Sequence, residues 1–189
     1  METLTLSKER LITGEELFEM GDIGRCELIE GRIVKISPTG AVHGELSSEL
    51  DFLLRTFVKK NRDAGKVFVG ETGVYIKQNP DTIRAADVIF ISVERWKRCN
   101  PDRAFLDVAP ELVVEIVSPT DRWQDIREKI LDYFSIDVTW VWIVEPKKRA
   151  ILVFTSPTAF REYNPGDTLK GEGALKGFEL DIAEYFSCL

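Results

Sequence analysis

The sequence predicts an α/β or α+β fold in which one mixed β-sheet is flanked by helices. Runs rich in β-branched and aromatic residues recur with turn residues between them, and two longer stretches repeat apolar residues at spacings of three and four. Strand pairs that surround two main helices are typical of such mixed architectures. The chain has 189 residues without a linker or an internal repeat, so we expect a single domain over residues 1–189.

The composition, 44% hydrophobic and 30% charged, is typical of a globular protein. No apolar run reaches the roughly 20 residues that a membrane helix needs, and the N-terminal segment lacks the apolar core of a signal peptide. Three widely spaced cysteines, Cys26, Cys99 and Cys188, form neither a disulfide framework nor a zinc-site spacing. We therefore expect a reducing, cytoplasmic location.

The net charge of −7 argues against a simple basic surface that binds nucleic acid. It does not exclude a nucleic-acid partner, because a bound metal ion can neutralise part of an acidic site. Three short basic clusters could contact phosphates, although such clusters are more often solvated faces. They are Lys59-Lys60-Arg62, Arg95-Lys97-Arg98 and Lys147-Lys148-Arg149.

Local signals place the first elements in order. The stretch LITGEELFEM predicts a short helix that Thr13 caps, with Glu16 as the partner in a capping box. The stretch CELIEGRIVKIS predicts a β-hairpin that turns at Glu30-Gly31. Thr39 is then positioned to cap a long helix that runs until about Arg62-Asp63. Its buried stripe is expected to comprise Val42, Leu46, Leu50, Leu53, Leu54, Phe57 and Val58.

The remaining elements alternate between strands and one more helix. The runs KVFVG and TGVYIKQ predict a second hairpin around Gly70–Gly73, and strands are predicted at 86–92 and 111–118. A helix is expected at about 122–135, where Asp121 and Gln124 could form a capping pair. Strands follow in TWVWIVEP and KRAILVF, before a short terminal segment that ends in DIAEYF. Trp140 and Trp142 share one sheet face, where core or dimer packing is more common than base stacking.

Glu115 is unusual because it lies in the middle of the apolar strand ELVVEIVS, on the same face as Val113 and Val117. Buried carboxylates are rare unless they are paired or bind a metal. Asp87 begins the other apolar strand, where an acid is most often a solvated strand end. Two carboxylates on neighbouring strands would repel each other unless a cation lies between them, and Mg²⁺ suits that arrangement.

Lys129 can be placed at the level of Glu115 by simple geometry. It lies six residues after Trp123, which is about 9 Å along a helix. Glu115 lies three residues before Ser118, which is about 10 Å back along the strand. A helix that folds back along its strand would bring the two side chains together. The alternative is a solvent-facing lysine on an amphipathic helix.

Four segments of the chain, taken in order, resemble one known family. They are CELIEGRIVKISPTGAVHGEL, RAADVIFIS, PELVVEIVSPT and REKILDYFSIDVTWVWIVEP. They are similar to the Uma-type family of restriction-endonuclease-like proteins in the PD-(D/E)XK nuclease superfamily, over a core of about residues 10–185. The resemblance implies a restriction-endonuclease-like core with a mixed central sheet, an N-terminal β-hairpin and a metal-dependent phosphodiesterase site.

The same resemblance implies roles for particular residues. The motif aspartate falls on Asp87 and the motif acid on Glu115, which together would hold one or two Mg²⁺ or Mn²⁺ ions. Val117 occupies the position of the usual lysine, and the family's pattern places that lysine on the following helix, at Lys129. Lys129 would orient the attacking water or stabilise the transition state. Ala86 stands where the motif has proline.

Two further residues are expected to be accessory. The family's motif carries a histidine at the position of His43, although a lone histidine near a helix start is more often a partly exposed surface residue. Glu27 could join the metal site, because many superfamily members use an extra acid from this end of the fold.

Two functional hypotheses remain open at this point. The first is a Mg²⁺-dependent endonuclease that hydrolyses phosphodiester bonds in DNA, working as a homodimer. The second is a catalytically inactive protein of the same fold that acts as a binding or assembly module. The absence of a lysine at position 117 and the acidic net charge favour the inactive module. Asp87, and the placement of Lys129 at the same level as Glu115, favour the endonuclease.

Overall fold

The computed structural model describes residues 10–62 and 64–189. The helices are α1 (Gly14–Glu19), α2 (Ala41–Lys60), α3 (Val93–Trp96), α4 (Trp123–Ser135) and α5 (Ile182–Tyr185). The first strands are β1 (Cys26–Ile29), β2 (Arg32–Lys35), β3 (Gly65–Lys77), β4 (Thr82–Ser92) and β5 (Leu112–Ile116). The later strands are β6 (Trp140–Glu145), β7 (Ala150–Ser156), β8 (Ala159–Tyr163), β9 (Thr168–Lys170) and β10 (Glu179–Asp181).

Within the described part of the chain, eight strands form one mixed sheet in the order β2-β1-β4-β5-β6-β7-β8, and β3 also pairs with β4. The pair β5–β6 is parallel and the other pairs are antiparallel. Helix α4 connects the parallel pair, as such a crossover requires. These features confirm the predicted mixed sheet flanked by helices and its N-terminal hairpin.

Strand β4 is the centre of this sheet, and every one of its residues is buried. One edge pairs with β3 along nearly its whole length. The opposite edge is shared, because β1 pairs at Ile83 and β5 pairs at Val88–Phe90. Strand β4 therefore has an interval between Ile83 and Val88 where its second edge has no paired strand.

The two long helices cover opposite faces of the sheet. Val114 and Ile116 pack in one apolar cluster with the buried face of α2, whereas Val113 packs in another with α4. Strands β9 and β10 and helix α5 close the α2 side, where the Tyr185 hydroxyl donates to the Leu46 carbonyl at 3.1 Å. Trp142 is buried in the same cluster, which confirms core packing for this side chain.

Several local predictions are confirmed. Thr13 and Glu16 form the expected capping box at the start of α1. The β1–β2 hairpin turns at Glu30 and Gly31, which both have positive φ values of 52° and 73°. Such a pair of left-handed residues matches the right-handed twist of the flanking strands.

The predicted second hairpin is wrong. Residues 65–77 form the single long strand β3, and its register against β4 shifts between Val69 and Thr72. Gly70 and Glu71 have positive φ values of 89° and 62°, so they form a bulge within the strand. The glycine that suggested a turn therefore bends the strand without reversing it.

Both predicted caps of the long helices are also wrong. Helix α2 starts after Gly40, and α4 starts after Arg122, and neither start has a side-chain cap hydrogen bond. The Asp121 carboxylate accepts from the Ser118 amide instead. Helix α2 ends at Lys60, earlier than predicted, and Asp63 lies outside the described residues. Residues 1–9, which contain part of the segment considered for a signal peptide, also lie outside them.

No helix in residues 10–62 and 64–189 is both long enough and apolar enough to cross a bilayer. The three cysteines are free thiols.

Burial on α2 gives a direct test of the fold. Leu50 is fully buried between the helix and the sheet, whereas Phe52, two residues later, is 62% exposed. We expect Leu50→Ala to lower the free energy of unfolding by about 2–5 kcal/mol, because it leaves a cavity in the core. The control Phe52→Ala should change it by less than about 0.5 kcal/mol. Urea denaturation would measure both, and equal losses would contradict this packing.

Candidate active site

The unpaired interval of β4 is bridged by carboxylates. On the β1 side, Glu27 Oε1 accepts from the Ala85 amide at 3.0 Å. On the β5 side, Asp87 Oδ2 accepts from the Ile116 amide at 2.7 Å. Buried main-chain amides need an acceptor, so these two acids replace the strand that is missing at this point. The fold thereby fixes both side chains without any ligand.

Asp87 and Glu115 are neighbours across the strands. The pairs Val88↔Val114 and Ile89↔Val113 set the register, and its continuation places Asp87 opposite Glu115. Opposite residues of an antiparallel pair point to the same side of the sheet. The strands have already separated here, which leaves room beside the two carboxylates.

Glu115 is held from helix α4. Lys129 Nζ lies 2.8 Å from Glu115 Oε2, and the Tyr133 hydroxyl donates to Glu115 Oε1 at 2.5 Å. Lys129 and Tyr133 are four residues apart, so they share one helix face. Lys129 Nζ also lies 3.2 Å from Glu27 Oε1, and it therefore joins two buried acids. The predicted contact between Lys129 and Glu115 is thus present.

Asp87 is oriented from helix α2. His43 Nε2 lies 3.0 Å from Asp87 Oδ2, and Ser47 Oγ lies 3.3 Å from His43 Nδ1. Ser47 donates its own proton to the His43 carbonyl at 2.8 Å. Its oxygen is then left as an acceptor that faces the imidazole. No donor among the described residues contacts the second oxygen of Asp87, Oδ1.

Arg84 completes the buried network. Its Nη1 lies 2.8 Å from Glu27 Oε2, and its Nη2 lies 2.7 Å from Asp132 Oδ2. Burial raises the pKa of Glu27, but the charges of Lys129 and Arg84 outweigh burial and hold that pKa below its usual value. Glu27 is therefore a fully compensated carboxylate.

Glu115 is not fully compensated. Burial raises its pKa to about 7, the charge of Lys129 opposes this rise, and the charge of Asp87 adds to it. Burial lowers the pKa of Lys129, but Glu115, Glu27 and Asp87 together keep it above its usual value. Both pKa values are raised, which favours the charged form of Lys129 but the neutral form of Glu115. The reason is that Lys129 has three acids around it, whereas Glu115 contacts a single cation. The shortage of positive charge falls on Glu115.

These side chains line a pocket of about 260 Å³ that opens to solvent. Asp87, Glu115, Lys129 and His43 form part of its wall. Arg25 and Glu71 also line it, and they form an ion pair with each other. The pocket therefore gives a small solute access to both separated carboxylates.

The residues present fit a divalent cation that prefers oxygen ligands. Asp87 Oδ1 is open, Glu115 lacks positive charge, and both line one solvent-accessible pocket. No group of three or more acidic, histidine or cysteine side chains in the described chain is arranged to enclose a metal ion. Two carboxylates completed by water and phosphate oxygens suit Mg²⁺ or Mn²⁺, which do not need a closed protein cage.

All five side chains singled out from the sequence meet in this network: Glu27, His43, Asp87, Glu115 and Lys129. Their catalytic or metal-binding roles stay predictions. The sequence reasoning missed three partners. Tyr133 lies four residues after Lys129, a spacing that places both side chains on one helix face and was a usable signal. Ser47 has the same spacing from His43, and Arg84 is a charged residue within an apolar strand.

Comparisons with known proteins agree with this architecture. A model of the Uma2 family, described as "Putative restriction endonuclease", matches residues 15–183. Among solved structures, the crystal structure of "a putative nuclease belonging to DUF820" from Anabaena variabilis is similar, with a TM-score of 0.78. The two chains are 19% identical, and the match covers 93% of this chain and 98% of that one. This likeness shows the shared fold. No curated protein matches the sequence.

The electrostatics of Glu115 predict an unusual pH dependence of stability without metal. Its pKa is about 7 in the folded protein and near 4.5 when unfolded. Its contribution is therefore fully present below pH 4.5 and is lost as the pH rises through 7. Relative to Glu115→Gln, the wild-type protein should lose on the order of 3 kcal/mol of unfolding free energy between pH 4.5 and pH 8. Urea titrations with a chelator would measure this.

The matched control is Glu128→Gln, which removes an exposed acid from the same helix. It should leave the pH profile of the wild-type protein unchanged. A difference between wild type and Glu115→Gln that is flat, or that grows in favour of wild type as the pH rises, would contradict the raised pKa.

Proposed function

This chain belongs to the Uma2 family, and from that premise we propose that it is a divalent-metal-dependent endonuclease that hydrolyses phosphodiester bonds in DNA. Membership of a restriction-endonuclease family supports a nuclease and a nucleic-acid substrate. The choice of DNA and of Mg²⁺ or Mn²⁺ is part of the proposal. A cytoplasmic location is also part of it, in keeping with the free thiols.

One observation carries the proposal. Lys129 lies 2.8 Å from Glu115, and Asp87 lies beside Glu115 at the edge of the same pocket. Two acids around one accessible space can hold a metal ion there, and the lysine adds a positive charge beside the phosphate that would bind to it. The lysine comes from helix α4, so the valine at position 117 does not leave the site without one.

Each side chain has a distinct role in this mechanism. Asp87 and Glu115 would hold the ion, which when bound supplies Lewis acidity to the scissile phosphate and to the attacking water. Lys129 is protonated at neutral pH, so it stabilises negative charge on the phosphate in the transition state and does not act as a base. Tyr133 and His43 fix the orientation of the two carboxylates.

The described residues contain one such cluster, so one copy would cut one phosphodiester bond at a time. We therefore include in the proposal that two copies pair to cut both strands of a duplex. Light scattering on the purified protein should give twice the 21.5 kDa chain mass. A monomer at working concentrations that still converts supercoiled plasmid directly to linear product would contradict pairing.

Plasmid cleavage tests the activity. With Mg²⁺ or Mn²⁺, we expect the wild-type protein to nick supercoiled plasmid, and chelation should abolish this. Asp87→Asn, Glu115→Gln and Lys129→Ala should each lower the rate by about 10²-fold or more, because each removes a group that acts on the transition state. Arg62→Ala, beyond the far end of α2, is the matched control and should retain full activity.

Calorimetry with Mn²⁺ separates the roles. Asp87→Asn should abolish binding of the ion, whereas Lys129→Ala should retain it while cleavage is lost. Nicking that survives all three substitutions would show that another site or a contaminant is responsible. Absence of both Mn²⁺ binding and cleavage in the wild-type protein would support the inactive binding or assembly module instead.

A further inference from the structure

A larger groove of about 700 Å³ adjoins the candidate active site. It shares His43, Ser118 and Asp121 with the smaller pocket, so the two spaces lie side by side. The groove lies between the start of α2, the loop after β5 and the turn between β6 and β7. Its apolar lining includes Val42, Val117, Pro119, Pro146 and Leu189.

Val42 marks this groove as an exposed apolar surface. The helical periodicity predicts that it is buried with Leu46 and Leu50, but its exposed fraction is 48%. It lies in the first turn of α2 and lines the groove. An apolar side chain that breaks the burial pattern beside a candidate site is more informative than one on an isolated surface.

The turn between β6 and β7 supplies the positive charge at the groove. Lys148 is neutralised by Glu145 at 3.0 Å, and Arg149 Nη2 donates to an oxygen of Leu189 at 3.5 Å. Lys147 is exposed and has no carboxylate partner among the residues that the structure describes. Arg149 has a positive φ of 53°, a conformation that costs energy for a residue other than glycine. Lys147 is therefore the cation at this rim that has no acidic partner in the described part of the chain, and Arg149 is held only by the long contact with Leu189.

The other two basic clusters are unsuited to this role. Lys59 and Lys60 lie about 24 Å from His43 along α2. Arg95 is occupied within the fold, because it donates to the carbonyls of Ala109 and Pro110. The cluster at 147–149 is the one that adjoins the site.

We propose that this groove holds an unpaired nucleic-acid strand next to the scissile phosphate. The faces of the bases pack on the apolar lining around Val42, and Lys147 and Arg149 contact the phosphates that follow. Flat bases and a charged backbone together match an apolar floor with a basic rim, whereas a duplex keeps its base faces stacked and hidden. The acids Glu145 and Asp121 confine the phosphates to that rim. This inference rests on the proposed nuclease function.

Fluorescence anisotropy with a labelled single-stranded DNA 12-mer in EDTA tests the groove without cleavage. Lys147→Ala should weaken binding roughly threefold to tenfold and lower the slope of log affinity against log salt by roughly 0.7, because one phosphate contact is lost. Val42→Ser should weaken binding by a similar factor with an unchanged slope, because it removes an apolar contact. Lys60→Ala removes the same charge far from the groove and should change neither quantity.

Equal losses in Lys147→Ala and Lys60→Ala would overturn the inference, since binding would then follow overall charge. Tighter binding of a 12-base-pair duplex than of the single strand would also overturn it. The two proposals fail separately. If the wild-type protein binds as described but does not cleave, the proposal for the groove stands and the proposed nuclease function fails. If the protein cleaves and the variants Lys147→Ala and Val42→Ser bind as tightly as the wild type, the nuclease function stands and the proposal for the groove fails.

Discussion

The candidate site depends on a gap in the sheet. One edge of β4 is shared between β1 and β5, and the amides between these strands need acceptors that no strand supplies. Glu27 and Asp87 supply them, so two acids are drawn into a buried position by main-chain hydrogen bonding. Buried acids in turn need cations. Arg84 on β4 and Lys129 on α4 supply them, and both contact Glu27.

This arrangement leaves the site short of positive charge. Glu27 has two cations in contact, but Glu115 shares Lys129 with it and also faces Asp87. A buried carboxylate in this state is costly for the folded protein. Proteins keep a destabilising group where function needs it. A divalent cation between Asp87 and Glu115 would remove the destabilisation that the buried carboxylate causes. The same feature therefore accounts for the raised pKa of Glu115 and supports the proposed binding of a metal ion.

The sequence could predict what depends on local spacing. The turn at Glu30-Gly31 follows from turn chemistry, and the contact of Glu115 with Lys129 follows from the rise per residue of a strand and a helix. Gly70 could not be recognised as part of a bulge, because a bulge and a turn use the same residue types. The partnership of Arg84 with Glu27 joins residues 57 positions apart, which no local pattern reveals. The exposure of Val42 depends on which elements pack against the start of α2, which helical periodicity does not describe.

The central claim is that Asp87 and Glu115, beside the gap in the sheet, hold a divalent cation. Anomalous diffraction from a crystal soaked in Mn²⁺ tests it most directly. The account predicts a manganese peak within coordination distance, about 2.0–2.4 Å, of both Asp87 and Glu115. A soaked crystal with both carboxylates ordered and no manganese between them, or with manganese bound only elsewhere, would contradict it.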